Sequence, residues 1–77
     1  MSIKVRYFAS LKERLGHAET ELELSAPLSA RQIWQRLNPA IPLPEGTLTA
    51  INMEYASLDS LLTDGDELAF FPPVTGG

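Results

Sequence analysis

Ile3-Lys4-Val5-Arg6-Tyr7-Phe8 alternates apolar and polar side chains, the period of a strand with one buried face. A second run, Glu19-Thr20-Glu21-Leu22-Glu23-Leu24, alternates in the same way. Antiparallel pairing of the two puts Lys4 and Arg6 on one solvent face with the three glutamates, where opposite charges attract across strands. Ala9 to Leu15 lies between them, with Ser10 and Glu13 at capping-box spacing and Gly16 as a stop, so a short helical turn is expected.

Downstream, Ser29 and Gln32 have capping-box spacing, and Leu28 can staple against Ile33. Ala30, Ile33, Trp34 and Leu37 form an apolar helical stripe that Pro39 brings to a close. Residues 38–46 hold Pro39, Pro42 and Pro44 and read as a loop. Residues 48–55 read as a third strand, with Ile51, Met53 and Tyr55 on one face and Ala50, Asn52 and Glu54 on the other. Residues 57–62 are ambiguous. Asp64-Gly65-Asp66 signals a turn, and residues 67–71 form the last strand. The expected architecture is α+β, one amphipathic helix packed across one face of a small mixed sheet.

Composition narrows the function. The chain has 77 residues, 44% hydrophobic, with no cysteine and a net charge of −4. That suits one unaided core, without disulfides or thiolate metal sites. The negative charge argues against nucleic acid and anionic membranes as partners. Met1-Ser2-Ile3-Lys4-Val5-Arg6 lacks the apolar run of a signal peptide, and no segment reaches the length of a membrane span. A soluble, cytoplasmic domain is expected.

Catalytic equipment is sparse. His17, the single histidine, follows Gly16 in a turn, and Glu19, Glu21 and Glu23 read as a solvated strand face. Asp64-Gly65-Asp66 lacks the further ligands of a calcium loop, and the glycines do not form a phosphate-cradling motif. The serines have no neighbouring base. No metal or cofactor is expected on the chain. Among the aromatics, Tyr7 and Phe70 take inward positions, and Trp34 belongs to helix packing. Phe8 and Phe71 fall on the opposite register; with Tyr55 they form a candidate interaction patch.

Residues 72–77, Pro72-Pro73-Val74-Thr75-Gly76-Gly77, read as an arm beyond a domain at 1–71. Two prolines end the strand and hold the chain beyond them extended. Residues 73–77 can span about 17 Å at ~3.4 Å each. Two glycines without side chains fit a narrow channel, so the arm is suited to delivering the Gly77 α-carboxylate to another protein's active site. Activation by ATP would give a mixed anhydride open to attack by a persulfide or by a lysine amine.

Residues 64–77, DGDELAFFPPVTGG, resemble the C-terminal signature of the small, sulfur-carrying subunits of molybdopterin synthase. Val5-Arg6-Tyr7-Phe8-Ala9 with Leu11-Lys12-Glu13 is similar to that family's opening, and Ala50-Ile51-Asn52 to its central strand. The resemblance implies a ubiquitin-like β-grasp fold. It further implies that Gly77 is adenylated by an activating enzyme using ATP and magnesium, then sulfurated to a thiocarboxylate. The carrier would then dock on the large synthase subunit, two small subunits flanking a large-subunit dimer in a heterotetramer. There the thiocarboxylate would give its sulfur to cyclic pyranopterin monophosphate, the catalytic residues being the large subunit's. By the same resemblance Phe8, Tyr55 and Phe71 contact the partner, and Pro73, Val74, Thr75 and Gly76 enter it. The alternatives are a thiamine-pathway sulfur carrier, a ubiquitin-like modifier joined to lysines through Gly77, and an interaction module with an incidental tail.

Overall fold

Ile3, Val5 and Tyr7 are buried while Lys4 and Arg6 face outward along β1 (Ser2–Tyr7) of the computed structural model, which describes residues 1–73. β2 (Glu19–Glu23) pairs antiparallel with β1 and sets Lys4 opposite Glu21 and Arg6 opposite Glu19, as the charge pattern predicts. The connection, α1 (Ala9–Leu15), ends on Gly16 in the left-handed region, with its N–H donating to the Lys12 carbonyl. Its start corrects the expectation of a Ser10–Glu13 capping box. The cap position is Phe8, extended, with no side-chain cap hydrogen bond. Phe8 N–H donates to Phe70 O, so the sheet holds Phe8 and the helix begins directly after it.

β3 (Leu28–Ser29) leads into α2 (Ala30–Leu37), and here the capping box forms. Gln32 N–H donates to Ser29 Oγ at 3.1 Å, and Ser29 N–H donates to Gln32 Oε1 at 2.9 Å. The first helical N–H groups, which have no partner within a helix, donate instead to Ser60 O and Leu58 O. The ambiguous residues 57–62 thus satisfy the start of α2. They also supply β6 (Leu61–Leu62), paired antiparallel with β3.

The expected third strand is two strands. β4 (Leu48–Ile51) turns at Asn52-Met53 into β5 (Glu54–Ala56), with Ile51 paired to Glu54. Both central residues have positive φ, 52° and 70°, the conformation a two-residue type I′ hairpin requires. β7 (Glu67–Phe71) lies in the middle of the five-stranded sheet, whose order is β2-β1-β7-β4-β5. It runs parallel to β1 and antiparallel to β4.

The inner sheet face meets α2. Trp34, Tyr7 and Phe70 are fully buried there, the Trp34 ring meeting Phe70 edge-on at 5.2 Å and Tyr7 at 5.9 Å. Trp34 Nε1 donates to Ile41 O at 2.8 Å, which ties the proline-rich loop to the core. Tyr7 Oη accepts from Asn38 Nδ2 at 3.2 Å; burial raises its pKa, and the Asn38 bond works against that. Each large apolar side chain so buried contributes roughly 1.5–3 kcal/mol, against about 0–1 kcal/mol for an exposed ion pair. The aromatic core therefore outweighs the charge pairing of β1 with β2, which sets register more than stability.

One polar knot ties the β4–β5 turn to the head of β7. Asn52 Nδ2 donates to Asp66 Oδ1 at 2.9 Å, and Glu67 N–H donates to Asn52 Oδ1 at 3.0 Å. Asp66 also accepts from the Thr63 N–H and hydroxyl. The Thr63 N–H first and Asn52 second hold its pKa below the ordinary carboxylate value. A lowered folded pKa gives stability that is present above the unfolded value and lost as pH falls through the folded one. Urea midpoints of the native chain should therefore drop on acidification below the ordinary aspartate range, and Asp66→Asn should show a shallower drop. Identical acid limbs for the two would refute this role.

Candidate functional site

Phe70 and Phe71 are neighbours in a fully bonded strand, so they point to opposite faces of the sheet. Phe70 enters the core, and Phe71 stands on the outer face as the middle of three rings. Phe8 and Tyr55 each meet it edge-on at 5.9 Å. Phe8 is 44% exposed and Tyr55 77%, an unusual degree of exposure for rings packed together. The structure brings the three expected patch residues together.

Tyr55 arrives by a route the sequence pattern conceals. In one continuous strand it would share a face with Ile51, which packs against the core. The turn at Asn52-Met53 reverses the chain and pairs Tyr55 with Ala50, which is itself paired with Ala69. Tyr55 therefore stands on the outer face beside Phe71. Ala50 and Ala69 floor a depression of about 560 Å³, walled by the three rings together with Met53, Arg6 and Glu67. Two small side chains at the bottom give it depth.

Met53 is the residue that sequence reasoning overlooked. It is 93% exposed, lines the depression, and holds a positive φ of 70°. An Asn-Met pair stands where Asn-Gly would be the most favourable turn, and that mismatch was the available signal. Ala9, next to Phe8, also has a positive φ, at 52°. The non-glycine residues with positive φ among those described are Ala9, Asn52 and Met53, so all of them adjoin the patch. Such conformations cost about 1–2 kcal/mol for an ordinary L-residue and concentrate at functional surfaces.

The electrostatics of the depression are nearly balanced. Arg6 Nε lies 3.2 Å from Glu67 Oε1 and 3.6 Å from Glu19 Oε2, but the angles give it no hydrogen bond. These pairs are half-exposed and hold the guanidinium across the floor more than they stabilise the fold.

No group of three or more potential metal ligands occurs among the described residues. The carboxylates of the Asp64–Asp66 turn are engaged in the fold, Asp64 Oδ1 accepting from Ser2 N–H at 2.9 Å. His17 meets the Tyr7 ring edge-on. Of the expected arm, Pro72 and Pro73 come directly after β7; Val74, Thr75, Gly76 and Gly77 lie outside the described residues. No described helix is long and apolar enough to cross a membrane. The three rings and the depression they wall thus stand on the outer sheet face, directly before Pro72 and Pro73.

Residues 5–77 match the ThiS family. The chain belongs to the ThiS family. Across 80 residues it is 44% identical to the molybdopterin synthase sulfur carrier subunit of Escherichia coli K12, covering 97% of this chain and 99% of that one. Among solved structures, SAMP1 from Haloferax volcanii superposes with a TM-score of 0.81 at 27% identity, covering both chains completely. A complex of subunits 1 and 2 of the molybdopterin-converting factor from Helicobacter pylori contains a similar chain, with TM-score 0.67 and 25% identity over the full length of both. The fold is thus the ubiquitin-like β-grasp, as the sequence resemblance implied. In this member of the ThiS family, Met53→Gly should raise the thermal midpoint, the gain being up to about 1 kcal/mol once glycine's own backbone entropy is set against the relieved strain. Calorimetric melts of the two proteins check it; an unchanged or lower midpoint would show that the strain at Met53 is no larger than the entropy glycine costs.

Proposed function

We propose that this chain is the sulfur carrier subunit of a molybdopterin synthase, acting through the carboxylate of Gly77. The observation that carries the proposal is contiguity. Phe71 is both the centre of the exposed aromatic patch and the last residue of β7, and Pro72-Pro73 come immediately after it. A partner that grips the patch sits at the point where the chain leaves the sheet toward Gly77. The near full-length likeness to the Escherichia coli carrier subunit supports the pathway, and the Helicobacter pylori complex of subunits 1 and 2 supports a large-subunit partner.

The chemistry divides between proteins. An activating enzyme, using ATP and magnesium, joins the Gly77 carboxylate to AMP and releases pyrophosphate. The terminal sulfur of a donor persulfide then displaces AMP to give an acyl disulfide. A second thiol of the donor system cleaves its S–S bond, forming a disulfide there and leaving a thiocarboxylate on Gly77. No cysteine exists in the chain to intercept the activated end. The thiocarboxylate is anionic at neutral pH and nucleophilic in the way of a low-pKa thiolate. Docked through Phe8, Tyr55 and Phe71, with Pro73, Val74, Thr75 and Gly76 in the partner's channel, it delivers sulfur to cyclic pyranopterin monophosphate. The large subunit supplies the catalytic residues, in a heterotetramer of two small and two large subunits. The activating enzyme and the large subunit use overlapping surfaces, so they bind in turn. The chain holds no cofactor of its own and works in the cytoplasm.

A second reading, a modifier attached to lysines through Gly77, is favoured by the likeness to small archaeal modifier protein 1 of Haloferax volcanii. Intact mass separates the two. Incubation with ATP, a persulfide donor and the activating enzyme should make the chain heavier by one oxygen-to-sulfur exchange at Gly77. Deleting Gly77, or adding one residue after it, should abolish that gain and leave the melting profile unchanged. Isopeptide adducts on other proteins without a thiocarboxylate pool would instead establish the modifier. Separately, Phe71→Ala should weaken large-subunit binding by about 1–3 kcal/mol, as truncating a central aromatic anchor does. Unchanged affinity by titration calorimetry would remove Phe71 from the interface.

A further inference from the structure

Gly46 faces the root of the C-terminal segment. β4 and β7 pair Leu48 with Phe71 and Thr49 with Phe70, and the same register carried two residues further sets Gly46 opposite Pro73. Proline has no N–H to extend the ladder, so contact must take its place there. That contact is close. A Cβ built on Gly46 would lie 3.3 Å from Pro73 Cγ and 3.4 Å from Pro73 Cβ.

The loop behind Gly46 is fixed. Thr47, buried, donates through Oγ1 to Pro44 O at 2.6 Å and through its N–H at 3.2 Å. Ile41 and Leu43 pack against the core, and Trp34 Nε1 holds the Ile41 carbonyl. Gly46 has a φ of +81°, which favours glycine, but Gly16 and Gly65 share that conformation at +82° and +85°. Around those two glycines a Cβ would meet nothing within 4 Å. Asparagine tolerates the same backbone, so conformation alone does not demand glycine at 46; the nearness of Pro73 is a second and separate constraint.

We infer that Gly46 is a positioning residue for sulfur loading and sulfur transfer, its bare Cα letting Pro73 lie along the proline-rich loop and so setting the point at which the chain leaves the sheet. This rests on the sulfur-carrier function proposed for the chain. A Cβ at 46 obliges the Pro73 ring to shift by a few tenths of an ångström, and the rest of a longer side chain adds to that. The point from which the chain continues toward Gly77 therefore moves, while the aromatic patch stays intact.

The test compares Gly46→Asn with Gly65→Asn, which carries the same backbone strain far from Pro73. Sulfuration of Gly77 and product formation are followed at saturating activating enzyme and large subunit. Gly46→Asn should slow both by roughly tenfold or more, since misplacement of about 1 Å can cost ~100-fold. Its affinity for the large subunit should fall less than that of Phe71→Ala, and its melting point should match that of Gly65→Asn. Equal turnover in the two variants would overturn the inference. Nuclear Overhauser contacts between the Gly46 α-protons and the Pro73 ring give a readout independent of activity. They should be present in the unaltered chain and in Gly65→Asn and weakened at the residue-46 α-proton in Gly46→Asn; their absence from the unaltered chain also overturns the inference. If the unaltered chain takes up no sulfur, the carrier function fails, and these contacts alone decide whether Gly46 seats Pro73. Should Gly46→Asn not fold, Gly46→Ala supplies the bare Cβ alone and must slow turnover relative to Gly65→Ala.

Discussion

β7 is hydrogen-bonded on both sides, to β1 in parallel and to β4 antiparallel, and this leaves its side chains no freedom of facing. Leu68 and Phe70 must enter the core; Glu67, Ala69 and Phe71 must face out. The rest of the molecule depends on that division. On the inner side Phe70 is the ring against which Tyr7 and Trp34 pack, and α2 lies across them. On the outer side Phe71 organises Phe8 and Tyr55. Two adjacent phenylalanines thus couple the core to the exposed aromatic patch. A slip of β7 by one residue would exchange them, burying the anchor and exposing the core ring. Pairing on both edges makes such a slip expensive, because two ladders would have to break together.

The patch is displayed at some conformational expense. Ala9 and Met53 hold left-handed backbone without being glycine, and Asn52 does so with its side chain engaged by Asp66 and Glu67. The Asn52 bonds explain how the strain persists: they tie the hairpin tip to the head of β7, so relaxing the turn would also break the knot. Tyr55 then has one position open to it, beside Phe71. The negative charges are kept largely to the rim. Glu19, Glu21 and Glu23 line the β2 edge, and only Glu67 reaches the depression, facing Arg6. A partner can therefore cover the rings without burying an unpaired carboxylate, which is the costly kind of contact at an interface.

How far the sequence disclosed this can be judged residue by residue. The Ser29–Gln32 box, the Gly16 stop, the pairing of β1 with β2 and the inward Tyr7 and Phe70 were all legible, because each depends on neighbours a few positions away or on simple alternation. The Ser10–Glu13 box had the same spacing as the one that forms, yet it failed. A tertiary bond from Phe8 N–H to Phe70 O, 62 residues distant, fixes where α1 starts, and local pattern cannot contain that. The split of residues 48–55 into β4 and β5 was hidden because Asn52-Met53 lacks a glycine and sits within an apparently unbroken alternation. β3 and β6 have two residues each, too few to show a period. The three rings of the patch were legible all the same. Phe8 and Phe71 are set by register alone, whereas Tyr55 reaches the outer face only through the turn.

On the proposed carrier function, affinity and delivery fall to different parts of the chain, divided at Pro72. Before it, every backbone segment of the sheet is bonded, so the rings form a rigid grip whose orientation is set by the core. After it, ladder bonding stops because neither Pro72 nor Pro73 carries an N–H. A grip without a defined exit would leave the terminal carboxylate searching a wide volume, and orientation is worth orders of magnitude in rate. Freezing the whole segment would also fail, since two partners of different shape must accept it in turn. The contact of Pro73 with Gly46 meets both demands. On that inference it sets the position of Pro73, the last residue before the stretch that two active sites would have to accept.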